Sequence, residues 1–230
     1  MNEKILEYLS SQRLLHMDML EAIRRGNADI IYASPEGVML QEKLSGAYML
    51  SKMHIDLGIE LLERLHKPKL IEIHQENLAQ YALGRFAFSN MLECFQVVYT
   101  SKAKPVLTKG LVIKRPTDDE LAIIKKNYNK ISDEEFYKIN KLGNLYAGMA
   151  DGKMIGFVGS QLEGSVGLLE VFPEFRRMGY GTELERHMIS IMMDKGYVPF
   201  GQVESHNEKS LTLQKKLGLE VSEDKLYWLF

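Results

Sequence analysis

The sequence predicts an α+β fold, in which strands and helices alternate along the chain. Short runs of apolar and β-branched residues are separated by segments whose apolar residues recur at helical spacing. Asp151-Gly152 lies between two such runs, Leu145 to Ala150 and Met154 to Ser160, and is the strongest hairpin signal in the chain. The segment after Tyr180 has one apolar helical face and ends before Gly196, a residue type suited to a helix C-terminus. These observations indicate a sheet flanked by helices.

Composition limits the class of protein. The chain has 230 residues, of which 45% are apolar and 26% charged, as in ordinary globular proteins. A formal net charge of −2 provides no positive field for a phosphate backbone, so nucleic acid is not an expected partner. No apolar run approaches the length of a membrane span, and we expect no membrane partner. The lone Cys94 excludes an intrachain disulfide, and the start MNEKILEYLSSQR is too charged for a secretory signal. A cytoplasmic protein is therefore expected.

The first half of the chain predicts an α/β domain over residues 1–103. Its first element is a long amphipathic helix from Lys4 to Arg25. The elements expected after it are strands near 29–33, 37–40 and 47–51, a helix over 55–65, a strand from 69, a helix ending near 83, and strands near 85–88 and 93–100. A helix-turn-helix domain is the alternative, but the strands and the lack of a basic recognition helix disfavour it.

A linker is predicted at residues 104–109, within the aperiodic stretch TSKAKPVLTKG, and a second domain over 110–230. Thr117 is the expected N-cap of the first helix of this domain, because acidic residues follow it. Beyond the hairpin, the expected elements are a strand over 166–172, the helix after Tyr180, a strand over 200–204, a helix over 208–217 and strands over 219–221 and 225–230.

The segment VFPEFRRMGYGTE, residues 171–183, joins a strand to the helix that follows. At a helix N-terminus, N–H groups without intrahelical partners and the helix dipole together favour an anion. Gly179 and Gly181 would let the backbone approach that anion and adopt dihedrals closed to other residues, while Arg176 and Arg177 add charge. A diphosphate is the expected ligand. Glycines that only cap a loop, beside solvated arginines, are the alternative. The chain lacks both the G-x-G-x-x-G and the P-loop patterns.

Two motifs carry a family resemblance. Residues 171–182, VFPEFRRMGYGT, resemble the acyl-CoA signature of the GNAT superfamily of N-acyltransferases, V-x-P-x-x-[RQ]-x-x-G-x-[GA]. The segment VESHNEKS at 203–210, followed by Leu213 and KLGL at 216–219, resembles the family's V-x-x-x-N-x-x-[AS]-x-x-L-[Y]-x-K-x-G-F segment. Both motifs stand in the expected order, and the resemblance covers roughly residues 109–230. It implies a GNAT fold with a mixed, mostly antiparallel, splayed sheet.

The resemblance also implies a cofactor, acetyl-CoA or another short acyl-CoA, and a small-molecule primary amine as acceptor. In such a fold the main chain of Val171 would pair with the pantetheine arm, and Asn207 would hold the arm from the other side. Ser210 belongs to the same motif. The backbone amides expected to cradle the diphosphate, beside Arg176, are those of Arg177, Met178, Gly179, Tyr180, Gly181 and Thr182.

The catalytic candidates are Glu170, Glu204 and Gln214. Glu170 lies in the apolar run VGLLEVF, where a charge needs solvent or a partner, so it is the first candidate for the general base and Glu204 is the second. A salt-bridged structural role for Glu170 stays open. Gln214 stands where many family members have a proton-donating tyrosine, and an amide can only donate a hydrogen bond. A non-catalytic acyl-CoA-binding module is therefore the alternative function.

The strand of Glu170 is expected to alternate. Val166, Leu168 and Glu170 would share one face, and residues 167, 169 and 171 the other. None of the six histidines has metal-ligand spacing, so no metal site is predicted. The first half repeats the order of strand, Asn-containing turn, helix and strands seen at 199–230, which suggests a degenerate GNAT-like domain without a cofactor site. This domain would form one side of the acceptor site or supply an interface, for example in a homodimer.

Overall fold

The computed structural model describes residues 3–52 and 54–230. The helices are α1 (Glu3–Ser11), α2 (Met17–Arg24), α3 (Ile55–Glu63), α4 (Glu76–Phe86), α5 (Asp118–Asn127), α6 (Asp133–Lys141), α7 (Tyr180–Asp194) and α8 (Glu208–Lys216). The strands are β1 (Ala28–Ser34), β2 (Gly37–Glu42), β3 (Tyr48–Lys52), β4 (Ile71–Ile73), β5 (Met91–Val98), β6 (Val112–Lys114), β7 (Leu145–Ala150), β8 (Lys153–Ser160), β9 (Val166–Val171), β10 (Phe200–Glu204) and β11 (Glu220–Leu229). The predicted mixture of strands and helices is confirmed. Among the described residues, no helix is long and apolar enough to cross a membrane.

The chain forms two compact units that are not contiguous in sequence. The first comprises residues up to Val98 together with 202–215 and 219–230, and the second comprises 99–201 and 216–218. This division differs from the predicted domains 1–103 and 110–230. The physical reason is strand pairing, because β11 lies between β4 and β5 and is antiparallel to both. A strand held on both sides cannot leave the sheet, so the end of the chain belongs to the first unit.

The first unit contains a seven-stranded sheet in the order β1-β2-β3-β4-β11-β5-β10. Strands β3 and β4 are parallel, and β1 with β2 and β2 with β3 are antiparallel. The segments β4-α4-β5 and β10-α8-β11 repeat the same order, and their last strands exchange places, so that β11 lies next to β4 and β5 next to β10. This arrangement agrees with the predicted internal repeat, while the descent of the first half from a GNAT domain stays a prediction.

Two apolar cores cover the two faces of this sheet. On one face, α3 and α4 pack through residues such as Leu61, Leu62 and Leu78. On the opposite face, α1 and α2 pack through Leu9 and Met19. Strand β11 serves both cores by alternation: residues 227 and 229 point to the first, and 226 and 228 to the second.

Three predicted elements of the first unit are wrong in detail. The helix over 4–25 is broken into α1 and α2, because the buried His16 turns inward, with Nδ1 3.0 Å from Leu9 O and Nε2 2.7 Å from Ser51 Oγ. The strand expected at 85–88 is the end of α4 and a turn, where Ala87 is left-handed at φ 54°. The two strands expected at 219–221 and 225–230 are one strand, β11, whose register with β5 is irregular between Val221 and Lys225.

The second unit contains a four-stranded antiparallel sheet in the order β6-β7-β8-β9. The predicted hairpin is confirmed, with Asp151 and Gly152 at φ 48° and 74°. The predicted N-cap is also confirmed, because Thr117 and Glu120 form a reciprocal capping box at the start of α5. Helix α7 packs through Leu184 and Met188 on one face of the sheet. The sheet and this helix position the segment with the first motif.

Candidate functional site

The first motif lies where edge strand β9 ends and α7 begins. Strand β9 pairs with β8 and is the last strand of its sheet, so its outer edge carries no strand of that sheet. After β9, Phe172 N–H donates to Ile155 O at 3.0 Å, and a single 3-10 turn follows over Pro173–Phe175. Residues 176–179 then lead directly into α7. The predicted position of the motif between a strand and a helix is therefore correct.

Two residues of this loop have a left-handed backbone conformation. Arg177 has φ 63°, which is uncommon outside glycine, and Gly179 has φ 78° at the N-cap of α7. For Gly179 the predicted need for an unusual dihedral is correct. Gly181 lies inside α7, and a Cβ added there would sit 3.6 Å from Val171 Cγ2, an ordinary contact. The dihedral reason given for Gly181 is therefore wrong, and the protein itself does not demand glycine at this position.

Several backbone N–H donors lie together where the loop meets the N-terminus of α7. Helix α7 is 15 residues long, and the N–H groups of Tyr180, Gly181 and Thr182 lie in its first turn, where no carbonyl of a preceding turn is available. The positive end of the helix dipole is here too. Arg177 is exposed and the Met178 side chain is 51% exposed, so the loop is open to solvent. Such an arrangement can bind a phosphate or diphosphate.

Arg176 connects the loop back to β9. Its Nε donates to Val171 O at 3.0 Å, and its Nη2 donates to Glu170 Oε1 at 2.8 Å. The Val171 carbonyl, expected to pair with a pantetheine arm, thus already accepts one hydrogen bond and keeps a second lone pair. The Glu170 side chain is 26% exposed, so it is both salt-bridged and accessible.

Glu170 lies on the face of β9 opposite α7. Leu169 and Val171 pack in the α7 core, as the predicted alternation requires, but Val166 packs there too. The register slips here, because Leu168 pairs with Gly159 whereas Val166 pairs with Ser160. The extra residue turns Val166 to the other face, so its predicted side is wrong.

The neighbourhood of Glu170 includes a buried phenol. Glu170 pairs with Phe157 in the register, and Phe157 contacts the ring of Tyr128 at a centroid distance of 5.5 Å. Burial raises the pKa of Tyr128, and the charges of Glu135 and Glu170 raise it further. Tyr128 was not predicted as part of the site, because it follows α5, which is distant from β9 in the chain.

A buried carboxylate anchors the segment before β6 to α7. Glu183, 1% exposed, accepts hydrogen bonds from Thr108 N at 2.6 Å, Lys109 N at 2.8 Å and Thr108 Oγ1 at 3.0 Å. Arg186 Nη1 also donates to it at 3.2 Å. Burial raises the pKa of Glu183, but these donors outweigh burial and leave the pKa below its usual value. The ionised carboxylate thus fixes the position of Lys109.

Lys109 is a further cation at the loop. Its Nζ lies 5.4 Å from the centroid of the Tyr180 ring, and its Cε lies 3.1 Å from where a Cβ on Gly179 would be. The predicted set of cations included only Arg176 and Arg177. Lys109 was missed because it falls in the aperiodic linker, where spacing carries no signal.

The second motif lies in the first unit, at the end of β10 and the start of α8. Asn207 caps the helix, since its Oδ1 accepts from Ser210 N at 3.1 Å, and the residue is exposed, with a side-chain NH₂ group that can act as a donor. Gln214 lies about two turns beyond Asn207 along α8 and is only 7% exposed. Glu204, 44% exposed, lies 3.3 Å from the ring of the exposed His206. The structure therefore places Glu170 in one unit and Glu204 in the other.

Comparisons with known proteins agree with this architecture. Residues 142–229 match the family described as FR47-like protein. A solved structure of a Drosophila protein is similar, with a TM-score of 0.66 at 14% identity over 99% of this chain and 94% of that one. A GCN5-related N-acetyltransferase-like protein from Streptococcus suis has a TM-score of 0.57 at 12% identity over 100% of both chains. A GCN5-related N-acetyltransferase from Kribbella flavida has a TM-score of 0.56 at 12% identity over 95% of this chain and 94% of that one.

No curated protein matches the chain significantly. The resemblance to the GNAT superfamily is confirmed by the family match, which spans both motifs, and by the fold, which the protein shares with GNAT proteins along almost its whole length. At these identities the structural likeness establishes the fold alone.

Proposed function

We propose that the protein is a cytoplasmic N-acyltransferase that transfers an acetyl or another short acyl group from acyl-CoA to a small-molecule primary amine. One observation supports this most strongly: the loop between β9 and α7 is left-handed at Arg177 and Gly179 and ends at a helix N-terminus. This is a geometry that suits a diphosphate, and it occurs at the residues that resemble the acyl-CoA signature.

In the proposed complex, the N–H groups of residues 177–182 hold the diphosphate, and Lys109 and Arg177 add positive charge at its edge. The pantetheine arm lies along the outer edge of β9 and pairs with the main chain of Val171 as an added strand would. The NH₂ group of Asn207 donates to the same arm. The fit rests on the edge position of β9 and on the donors at the start of α7.

The proposed reaction is direct attack of the neutral amine on the thioester carbonyl carbon. A C–N bond forms, the C–S bond breaks, and coenzyme A leaves as a thiolate that takes a proton from solvent. The proton lost by the amine goes to Glu170, directly or through water, and Arg176 holds that carboxylate in place. Gln214 donates a hydrogen bond to the departing sulfur at most. Glu204 is the second candidate for the base.

The alternative function is an acyl-CoA-binding module without turnover. Two observations favour it: a nearly buried glutamine stands where many GNAT enzymes have a tyrosine, and Glu170 is already paired with Arg176. Both functions need the same loop, so only an activity measurement separates them.

The experiment is a thiol-release assay with acetyl-CoA and a panel of amines that includes amino acids, polyamines and aminoglycosides. Cationic amines are the first choice because Glu170 and Glu204 are acidic. Amine-dependent thiol release supports the enzyme, and stoichiometric acetyl-CoA binding without release supports the module. Failure to bind acetyl-CoA would refute both proposals.

A further inference from the structure

Three buried side chains, from α2, from β4 and from the residue directly after β4, converge in the first unit. Asp18, Glu72 and His74 each place one ligand-type atom within 4.8 Å of the others, and their exposures are 0%, 0% and 4%. His74 directly follows β4, and its N–H donates to Leu50 O of β3 at 3.1 Å, so the strand alternation continues and puts Glu72 and His74 on the same face, where α2 carries Asp18. No metal site was predicted from the sequence, because none of the six histidines has metal-ligand spacing.

A backbone carbonyl fixes the orientation of the His74 ring. Its Nδ1 lies 3.3 Å from Leu50 O, and a carbonyl can only accept, so Nδ1–H donates and Nε2 is the ring nitrogen that faces Asp18. That Nε2 is buried, lies 3.4 Å from Asp18 Oδ2, and has no hydrogen-bond partner of good geometry among the described residues. A backbone carbonyl that orients a histidine in this way is the usual outer support of a metal-bound imidazole.

The distance between the two ligand atoms also fits a metal. Zinc binds nitrogen and carboxylate oxygen at about 2.0–2.2 Å, so two ligands of a tetrahedral site are about 3.4 Å apart. The 3.4 Å between His74 Nε2 and Asp18 Oδ2 equals such an edge and is long for a charge-assisted hydrogen bond.

Neutral amides hold the two carboxylates in place. Gln96 Nε2 donates to Asp18 Oδ2 at 2.8 Å, and Gln202 Nε2 donates to Glu72 Oε1 at 3.3 Å. A carboxylate is costly to bury without hydrogen bonds and a counter-charge, and a bound cation would supply that counter-charge to both side chains.

We propose that Asp18, Glu72 and His74 bind one divalent first-row transition-metal ion of the zinc type. One imidazole and two carboxylates are donors that such ions accept, whereas Ca²⁺ takes six to eight oxygens and Mg²⁺ keeps most of its waters. His74 also lines a cavity of about 750 Å³, together with Gln75 and Tyr227. The bound ion would tie α2 to β4.

The test uses full-length protein freed of metal with a chelator and then titrated with Zn²⁺ and Co²⁺. We expect one ion per chain, a rise in melting temperature on loading, and a Co²⁺ visible spectrum of low coordination number without a thiolate band. His74→Gln should weaken binding by at least about 100-fold, since even outer-shell changes cost 10- to 100-fold. The matched control is His206→Gln, which removes an exposed histidine 3.3 Å from Glu204 and should leave binding unchanged.

If His74→Gln does not fold, the wild-type protein still decides the question. In nitrogen-15 spectra of its imidazoles, Zn²⁺ should shift one histidine that is protonated at Nδ1 and ligated at Nε2. The proposal is overturned if the wild-type chain binds neither ion stoichiometrically. It is equally overturned if a folded His74→Gln variant binds as tightly as the wild type.

Discussion

Replacement of Glu183 by glutamine should loosen the segment before β6 from the first turn of α7. In the wild type, one oxygen accepts from two backbone N–H groups, of Thr108 and Lys109, and the other accepts from Thr108 Oγ1 and Arg186. Glutamine keeps one acceptor oxygen for the two backbone N–H groups, but this oxygen carries no charge. It also places an NH₂ group against the Arg186 guanidinium, which cannot accept a hydrogen bond.

The magnitude follows from the hydrogen bonds. A bond to a charged acceptor contributes about 1.5–3 kcal/mol and a neutral bond about 0.5–1.5, so weakening the two backbone bonds costs about 2 kcal/mol in the free energy of unfolding. Glu183→Ala removes the acceptor altogether and should cost about 3 kcal/mol, because the released N–H groups can reach water. As a control, Glu60→Gln breaks an exposed pair with Arg64 and should change stability by less than about 0.5 kcal/mol.

The effect of Glu183 should depend on pH with a definite sign. Its folded pKa is below its ordinary value, so the stabilisation is present above the unfolded pKa of about 4.3 and is lost as pH falls through the folded pKa. Urea unfolding at pH 7 and at pH 3 measures this for the wild type and Glu183→Gln. A difference below about 0.5 kcal/mol at pH 7, or one that persists undiminished in acid, would refute the reasoning.

Two further predictions concern chemistry. Glu170→Gln should keep acyl-CoA affinity but lower turnover by roughly two to four orders of magnitude, and it should flatten the acidic limb of the pH–rate profile. Gln214→Ala should reduce turnover less. Near-normal turnover of Glu170→Gln would assign the role of general base to Glu204 or to water. Burial, followed by the charges of Glu204 and Glu93, raises the pKa of Cys94 to about 12, so a disulfide reagent at pH 8 should label this buried thiol only after denaturation. Rapid labelling of the native protein would contradict that.

Features set by local sequence were predictable. The Thr117 cap, the Asp151-Gly152 turn and the left-handed Gly179 each depend on a few neighbouring residues, and the structure has all three. The loop of the first motif could be placed for the same reason, because a strand, a glycine and an amphipathic helix follow one another within about a dozen residues.

Features set by distant residues were not predictable. The exchange of β5 and β11 depends on pairing across more than a hundred residues, which no local pattern encodes. Lys109 reaches the loop only because Glu183, far along the chain, holds its backbone. Asp18 meets β4 through packing, although the Glu72-x-His74 alternation could have marked two polar residues on one buried face.

The central claim is that the loop before α7 binds the diphosphate of acyl-CoA, and calorimetry with acetyl-CoA tests it most directly. Gly179→Val and Gly196→Val place the same side chain at the two ends of α7, at φ 78° and 73°, so both carry similar backbone strain. Only Gly179→Val adds a branched side chain at the loop before α7. We predict that folded Gly196→Val binds like the wild type and that Gly179→Val binds at least about 100-fold more weakly, about 2.7 kcal/mol. Equal affinity of a folded Gly179→Val variant and the wild type would contradict the account.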